Sequence, residues 1–351
     1  MKHRKVARLL DRTVVYEHNN RYRWNGCGAI AASESALVMS WYTGGVKEPT
    51  EENLVVWSRS LDRGKAWSEP VEISNPPGMV RATDPMLWRG SDGVVHYAYA
   101  TNDMSLSLES AVYRFVRRTC SDPAADQLEW SDEIPIEPQG DTGYTEVFFN
   151  NKPIQLDNGE WLIPVALRTQ PIPGKGPHHW GFAAAGAMIS SDDMKTWEVF
   201  RGKDFEQSSY GSKDMTVWEP GAYQRADGTV VMYFRTNWGV LHATCSEDCG
   251  RTWSDYEPTV IVNPSSRMHV RKIPDGPVIC LTNLSAVSRN YLSMYISYDG
   301  GHSFTRLVIL DVNGPVMYPD ADLDPDGHTL HIFYENRKDI FYAALDLREV
   351  L

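Results

Sequence analysis

Several side chains able to do acid, base or anion chemistry stand at the edges of strand-like runs. Glu219 and Arg235 flank the turn Asp227-Gly228 in Glu219-Pro-Gly-Ala-Tyr-Gln-Arg-Ala-Asp227-Gly228-Thr-Val-Val-Met-Tyr-Phe-Arg235. Arg23 lies in Tyr22-Arg23-Trp24-Asn25, with Arg21 a near competitor, and Arg289 opens Arg289-Asn-Tyr-Leu292. Tyr318 opens Tyr318-Pro-Asp-Ala-Asp-Leu323, and Asp84 closes Arg81-Ala-Thr-Asp84 before Pro85 and a strand. The loop Gly44-Gly-Val-Lys-Glu48-Pro-Thr-Glu51-Glu52-Asn53 carries carboxylates but no aspartate. Guanidiniums grip a carboxylate through directional, charge-assisted hydrogen bonds that lysine cannot reproduce. A carboxylate beside a phenol can take its proton, and a carboxyl of raised pKa can donate one. Taken singly, each of these residues also has an ordinary structural place.

Other candidates carry less. Cys245 and Cys249 flank a turn, but no second pair lies near to complete a metal site. His178-His179-Trp180 sits in a Gly/Pro-rich stretch long enough to form a rim over a pocket, and a metal there would need a third ligand. Asn150-Asn151-Lys152-Pro153 begins a strand much as Asp84 does, so either can face a central site.

The elements that must position these groups are written in a repeat. The pattern S-x-D-x-G-x-T-W appears at Ser60 to Trp67, at Ser190 to Trp197 with Met194 in the glycine slot, at Ser246 to Trp253 complete, and at Ser297 to Phe304 conservatively altered. A degenerate copy runs from Cys120-Ser-Asp122 to Glu129-Trp130-Ser131. Ser and Asp side chains bind nearby amides, Gly supplies a positive φ, and the aromatic ring packs back under the turn. Each copy therefore joins two antiparallel strands. Asp227-Gly228, Asn158-Gly159 and Asp326-Gly327 mark further hairpins ahead of alternating runs such as Thr229–Phe234, Trp161–Val165 and His328–Tyr334. Copies recurring at about fifty to seventy residues imply the blades of an all-β propeller. Five turns, with a sixth blade built from the chain ends, predict a six-bladed β-propeller of four-stranded antiparallel blades. One domain is expected over residues 1–351. Radial repetition leaves few open sheet edges.

The net charge of −12 argues against nucleic acid as a partner. No apolar stretch follows Met1-Lys-His-Arg-Lys5, and no run is apolar enough to span a bilayer, so neither a signal peptide nor a membrane partner is expected. Five scattered cysteines suit a reducing, cytoplasmic setting better than a disulfide framework.

The repeat resembles the Asp boxes of the sialidase (neuraminidase) superfamily, and the resemblance covers nearly the whole chain. It implies a six-bladed propeller glycosidase, and several residues match the superfamily's site motifs. Arg23, Arg235 and Arg289 fall on three arginines that hold a substrate carboxylate. Glu219 falls on the glutamate that activates a tyrosine, and Tyr318 on that tyrosine, the nucleophile. Pro319 stands where the family has serine. The family's general acid is an aspartate in the loop before the first Asp box; Glu48 best matches it here, with Glu51 next. Asp84 would contact substrate hydroxyls. The implied activity is hydrolysis of a terminal carboxylate-bearing sugar such as sialic acid, with retention and without metal or organic cofactor. The expected geometry is three guanidiniums converging on the axis, with the Tyr318 hydroxyl bonded to Glu219. Two alternatives stay open: a related propeller hydrolase or polysaccharide lyase acting on another sugar, and a non-catalytic carbohydrate-binding propeller.

Overall fold

The computed structural model describes residues 11–105, 113–140, 146–168, 182–204 and 217–351; the His178-His179-Trp180 stretch lies outside them. Among the described residues there is no α-helix, and six antiparallel sheets form the blades. The N-terminal strand β1 (Thr13–Tyr16) belongs to the last blade. Blade one is β2 (Asn25–Ala32), β3 (Leu37–Thr43), β4 (Leu54–Ser60) and β5 (Val71–Ser74). Blade two is β6 (Val80–Arg89), β7 (Val95–Asp103), β8 (Tyr113–Cys120) and β9 (Ile134–Ile136). Blade three carries β10 (Pro138–Gln139) on its outer edge, parallel to β15. Its other strands are β11 (Glu146–Phe148), β12 (Ile154–Gln155), β13 (Trp161–Arg168), β14 (Phe182–Ser190) and β15 (Trp197–Arg201). Blade four is β16 (Trp218–Gln224), β17 (Val230–Arg235), β18 (Val240–Ser246) and β19 (Glu257–Val262). Blade five is β20 (His269–Lys272), β21 (Val278–Asn283), β22 (Leu292–Ser297) and β23 (Arg306–Asp311). Blade six is β24 (Met317–Leu323), β25 (Thr329–Glu335) and β26 (Ile340–Asp346), with β1 paired antiparallel on its outside. The ring thus closes through the N-terminal strand, in the blade that the sequence assigns to the chain ends.

Each Asp box joins the third and fourth strands of its blade. In the complete copy, the Ser246 hydroxyl donates to Asp248 Oδ1 (2.8 Å) and accepts from Gly250 N (2.7 Å), while Asp248 accepts from Thr252 N and Thr252 Oγ1 at 2.8 and 2.6 Å. The altered fourth copy makes the same set through Asp299 and Ser303, so Ser replaces Thr without losing a bond. Met194 keeps the turn at φ 64, a conformation a glycine would adopt without strain. Gly64 has a second constraint besides its φ of 92: a Cβ there would lie 2.2 Å from the Tyr342 ring of blade six.

Apolar side chains fill the wedges between neighbouring blades. Tyr223, Val231 and Leu241 of blade four pack with Val270, Val278 and Tyr295 of blade five, and Trp41 and Val56 of blade one pack with Phe333 and Tyr342 of blade six. The strand beginning each blade lies innermost, so the six first strands surround the axis. These strands are buried on both faces and read as continuous runs rather than alternating ones, β2 and β24 being buried at every position.

Candidate functional site

The inner strands share one irregularity, and it builds the site. Cys27, Asp84, Glu219 and Tyr318 have φ of 44°, 50°, 50° and 53°. Each sits where the register with its neighbouring strand slips, in β2, β6, β16 and β24 respectively. A bulge of this kind re-aims a side chain, and non-glycine residues at positive φ cost about 1–3 kcal/mol each, so they persist only where packing enforces them. Three of the four precede a proline: Asp84-Pro85, Glu219-Pro220 and Tyr318-Pro319. Pro319 is therefore part of a device used in three blades. Cys27 precedes Gly28, where a Cβ would lie 2.4 Å from the Ser40 carbonyl oxygen. In blade three the inner strand breaks between β11 and β12, and Asn150, Asn151 and Lys152 fill the gap.

Arg235, at the end of β17, ties the hub together. Its Nη1 donates to Glu219 Oε2 at 2.7 Å and to Tyr318 Oη at 3.0 Å, and its Nε donates to Ser265 Oγ at 3.0 Å. Arg289 reaches the same place: Nη2 donates to the Ser265 carbonyl at 2.9 Å, Nη1 lies 3.0 Å from Met317 Sδ, and Cζ stands 5.0 Å from the Tyr318 ring centroid. Asn150 Nδ2 donates to the other Glu219 oxygen at 3.2 Å, and Asn151 Nδ2 donates to the carbonyls of Glu219 and Pro220. Tyr318, Glu219, Arg235 and Arg289 are thus brought together. The expected direct bond between Tyr318 and Glu219 is absent; one guanidinium nitrogen bridges them instead. The reason is steric economy: Arg235 sits between the two bulged strands and can satisfy both oxygens with the two hydrogens of one nitrogen.

The charges follow from this geometry. Burial pushes the Glu219 carboxyl up, but Arg235, with Arg267 and Arg289 behind it, more than offsets this and holds it below the usual carboxylate range. Burial and the facing Glu219 charge raise the Tyr318 phenol well above its ordinary value, against the pull of Arg235. The resting pair is therefore an anionic glutamate and a neutral phenol. Glu48 is only partly buried by surface area, yet crowding pushes its carboxyl up to about 7, with Asp84 as the next cause. Asp84 itself is raised by burial and by Glu219, with Thr83, Arg81 and Arg267 pulling the other way. Glu51 is exposed on the same loop. That loop is pinned by Asn53, whose side chain donates to the Gly44 carbonyl at 3.0 Å and accepts from Thr50 N at 2.9 Å.

Arg23 is exposed just before β2, and no hydrogen bond or ion pair among the described residues joins it to Arg235 or Arg289. Reading the sequence missed Arg267, which is 1% exposed and stands 5.5 Å from the Tyr318 ring. Its guanidinium donates to the carbonyls of Asn150, Gly28 and Tyr318, so it staples three blades and is not free to grip a ligand. Arg81, bonded to Tyr113 Oη at 3.0 Å, and Arg337, in the β25–β26 turn, place their charges on Glu48. Glu335, at the end of β25, is buried; burial first, then the Glu48 charge, pushes it up to about 8. The residue-before-proline pattern shared by Asp84, Glu219 and Tyr318 was a signal available in the sequence. No comparable pattern marks Arg267.

Comparison with known proteins agrees with the fold. A protein of unknown function from Dyadobacter fermentans superposes with a TM-score of 0.76 at 18% identity, over 97% of this chain and 99% of that one. A Hadza microbial sialidase superposes with a TM-score of 0.76 at 16% identity, over 95% of this chain and 67% of that one. The intramolecular trans-sialidase from Ruminococcus gnavus, solved with oseltamivir carboxylate, gives 0.71 at 12% identity, over 96% and 97%. No curated protein matches the chain by sequence. The description BNR repeat-like domain matches residues 34–332, so with its Asp boxes and six-bladed sialidase-like fold the chain belongs to the BNR repeat-like domain family.

Proposed function

We propose that the protein is an exo-glycosidase of sialidase type, removing a terminal carboxylate-bearing sugar. The observation that carries this reading is the single Arg235 nitrogen shared by Glu219 Oε2 and Tyr318 Oη at the strained mouth of the hub. An anionic nucleophile would be repelled by a substrate carboxylate next to the anomeric carbon, and a neutral phenol avoids that repulsion. Once the substrate carboxylate draws Arg235 out of its bridge between them, Tyr318 Oη closes on Glu219, gives it the phenol proton and attacks the anomeric carbon. Glu48, protonated below about neutral pH, gives its proton to the departing glycosidic oxygen. In the second step Glu48 takes a proton from water, the water oxygen displaces Tyr318, and Glu219 returns the proton to the phenol. Two inversions give net retention. Among the described residues Arg235 Nη2 has no protein partner, Arg289 lies beside it, and Arg23, before β2, is unpaired; these three would hold the substrate carboxylate. Asp84 would accept from sugar hydroxyls.

Two features favour a second reading. Arg235 is already paired with Glu219, and Glu48 stands where the family has a shorter aspartate, so the hub also suits a different acidic or neutral glycoside. Hydrolysis of a fluorogenic sialoside tests the first reading against a panel of uronosides and neutral glycosides. The expected result is turnover of the sialoside, lost in Tyr318→Phe. Turnover undiminished in that variant contradicts the mechanism, and turnover of another glycoside alone selects the second reading.

A further inference from the structure

The six inner strands run in the same direction along the axis, so Tyr318 and Asp322 of β24 mark opposite ends of the hub, about 13 Å apart at strand rise. Around Asp322 the axis opens into a cavity of about 610 Å³, lined by the ends of β6 and β16, by β20 and by the segment 151–157. None of the proposed catalytic residues lines it. Arg89, Lys152, Arg271 and Lys272 outnumber Asp157 and Asp322 on its wall, in a chain whose net charge is −12. Asp320 and Asp322 neutralise Lys152 and Arg271, so what the wall offers an anion is the unspent edge of the Arg271 guanidinium rather than net positive charge.

Three of its groups have unused capacity. His269 is 5% exposed; its Nδ1 lies 3.0 Å from Asp320 Oδ1, and its Nε2 has no partner among the described residues. Asp320 also accepts from Lys152 Nζ at 2.8 Å and from Ile30 N at 2.8 Å, so it is held as an anion and Nδ1 carries the imidazole proton. Burial lowers the His269 pKa, which leaves Nε2 a bare lone pair that only a donor can satisfy. Arg271 spends Nη1 on Asp322 Oδ1 at 2.5 Å, while Nε and Nη2 have no protein partner among the described residues. Trp88, also on the wall, keeps Nε1 unpaired. Lys152 is saturated by Asp320 and the carbonyls of Ile30 and Ala321, so it has no donor left for a ligand. Among the described residues no three His, Cys, Asp or Glu side chains converge, so a metal is not the donor-set match.

We propose that this cavity is a second binding site, separate from the hub of Tyr318, for a small hydroxylated carboxylate of the sugar-acid class. The carboxylate lies against the free edge of Arg271, and a neighbouring hydroxyl donates to His269 Nε2. The proposal stands whether or not the hub is catalytic, since neither Arg271 nor His269 belongs to the proposed catalytic set.

Titration calorimetry and saturation-transfer NMR with D-glucuronate test it, with D-glucose (hydroxyls only) and acetate (carboxylate only) as partial probes. The expected result is saturable glucuronate binding, at least tenfold tighter than either partial probe. It weakens at least tenfold in Arg271→Gln and His269→Phe and is unchanged in Arg289→Met. Arg271 is partly exposed, so its variant decides the matter if the buried His269→Phe fails to fold. Absence of saturable binding, which would mean that water alone satisfies His269, overturns the proposal. So does glucuronate binding that Arg289→Met abolishes and Arg271→Gln leaves intact.

Discussion

The pairing of Glu219 with Arg235 makes a quantitative prediction through a double-mutant cycle. The two side chains are mostly buried, 6% and 18% exposed, with 2.7 Å between Nη1 and Oε2. Arg235→Met leaves an anion in the hub without its counter-charge, which costs about 3–5 kcal/mol for a buried pair. Glu219→Gln keeps an acceptor oxygen for Arg235, so its cost is smaller, about 2 kcal/mol. The double variant removes both charges and should cost less than the singles summed, with a coupling of about 2 kcal/mol. For a chain of this length 1 kcal/mol is worth about 1–2 °C in Tm, so Arg235→Met should melt about 3–10 °C early. Linkage adds a sign. The Glu219 pKa is depressed in the folded state, so the stability it contributes is present above the ordinary carboxylate range and is lost as pH falls through the lowered value. Arg235→Met should abolish that acid-side loss. Calorimetric melts at several pH values read both effects. Strictly additive single costs, or an unchanged acid-side slope, would refute the claim that Arg235 holds Glu219 ionised.

Two further outcomes follow from the same coordinates. Glu48, with its carboxyl pushed up to about 7, should give kcat/KM an alkaline limb near that pH, because only the protonated acid donates; Glu48→Gln should lower kcat about 10²–10⁴-fold and erase the limb, and a limb that survives would move the acid elsewhere. Gly64→Ala, forced against the Tyr342 ring at a positive φ, should cost about 2–4 kcal/mol in a thermal melt while leaving kcat of the folded protein unchanged; an unaltered Tm would mean the first Asp box does not lock blade one to blade six.

The blades were legible because their signals are local. A Ser, an Asp and a positive-φ residue within one turn carry their own hydrogen bonds, so Ser246 to Trp253 reads as a hairpin without knowledge of its neighbours. Counting blades assigned the sixth to the chain ends, and the pairing of β1 with β26 shows that the N-terminal strand closes it. At the hub, Glu219 and Arg235 were legible because one hairpin carries both. Arg267 was not, because its partners are carbonyls of three other blades and no local pattern marks it. The bridge from Arg235 to Tyr318 was missed for the same reason: it spans blade four to blade six, a relation set by packing around the axis. Glu48 was preferred to Glu51 on motif position alone; that its carboxyl is pushed up to about 7 depends on burial and on Asp84 of blade two, which no local pattern announces.

The most direct test of the central claim is covalent trapping. The protein is incubated with a 3-fluorosialosyl fluoride, digested and mapped by mass spectrometry. The account predicts a stable glycosyl adduct on the peptide containing Tyr318, absent in Tyr318→Phe. An adduct on Glu219 or Glu48, or turnover of sialosides with no tyrosyl adduct, would contradict it.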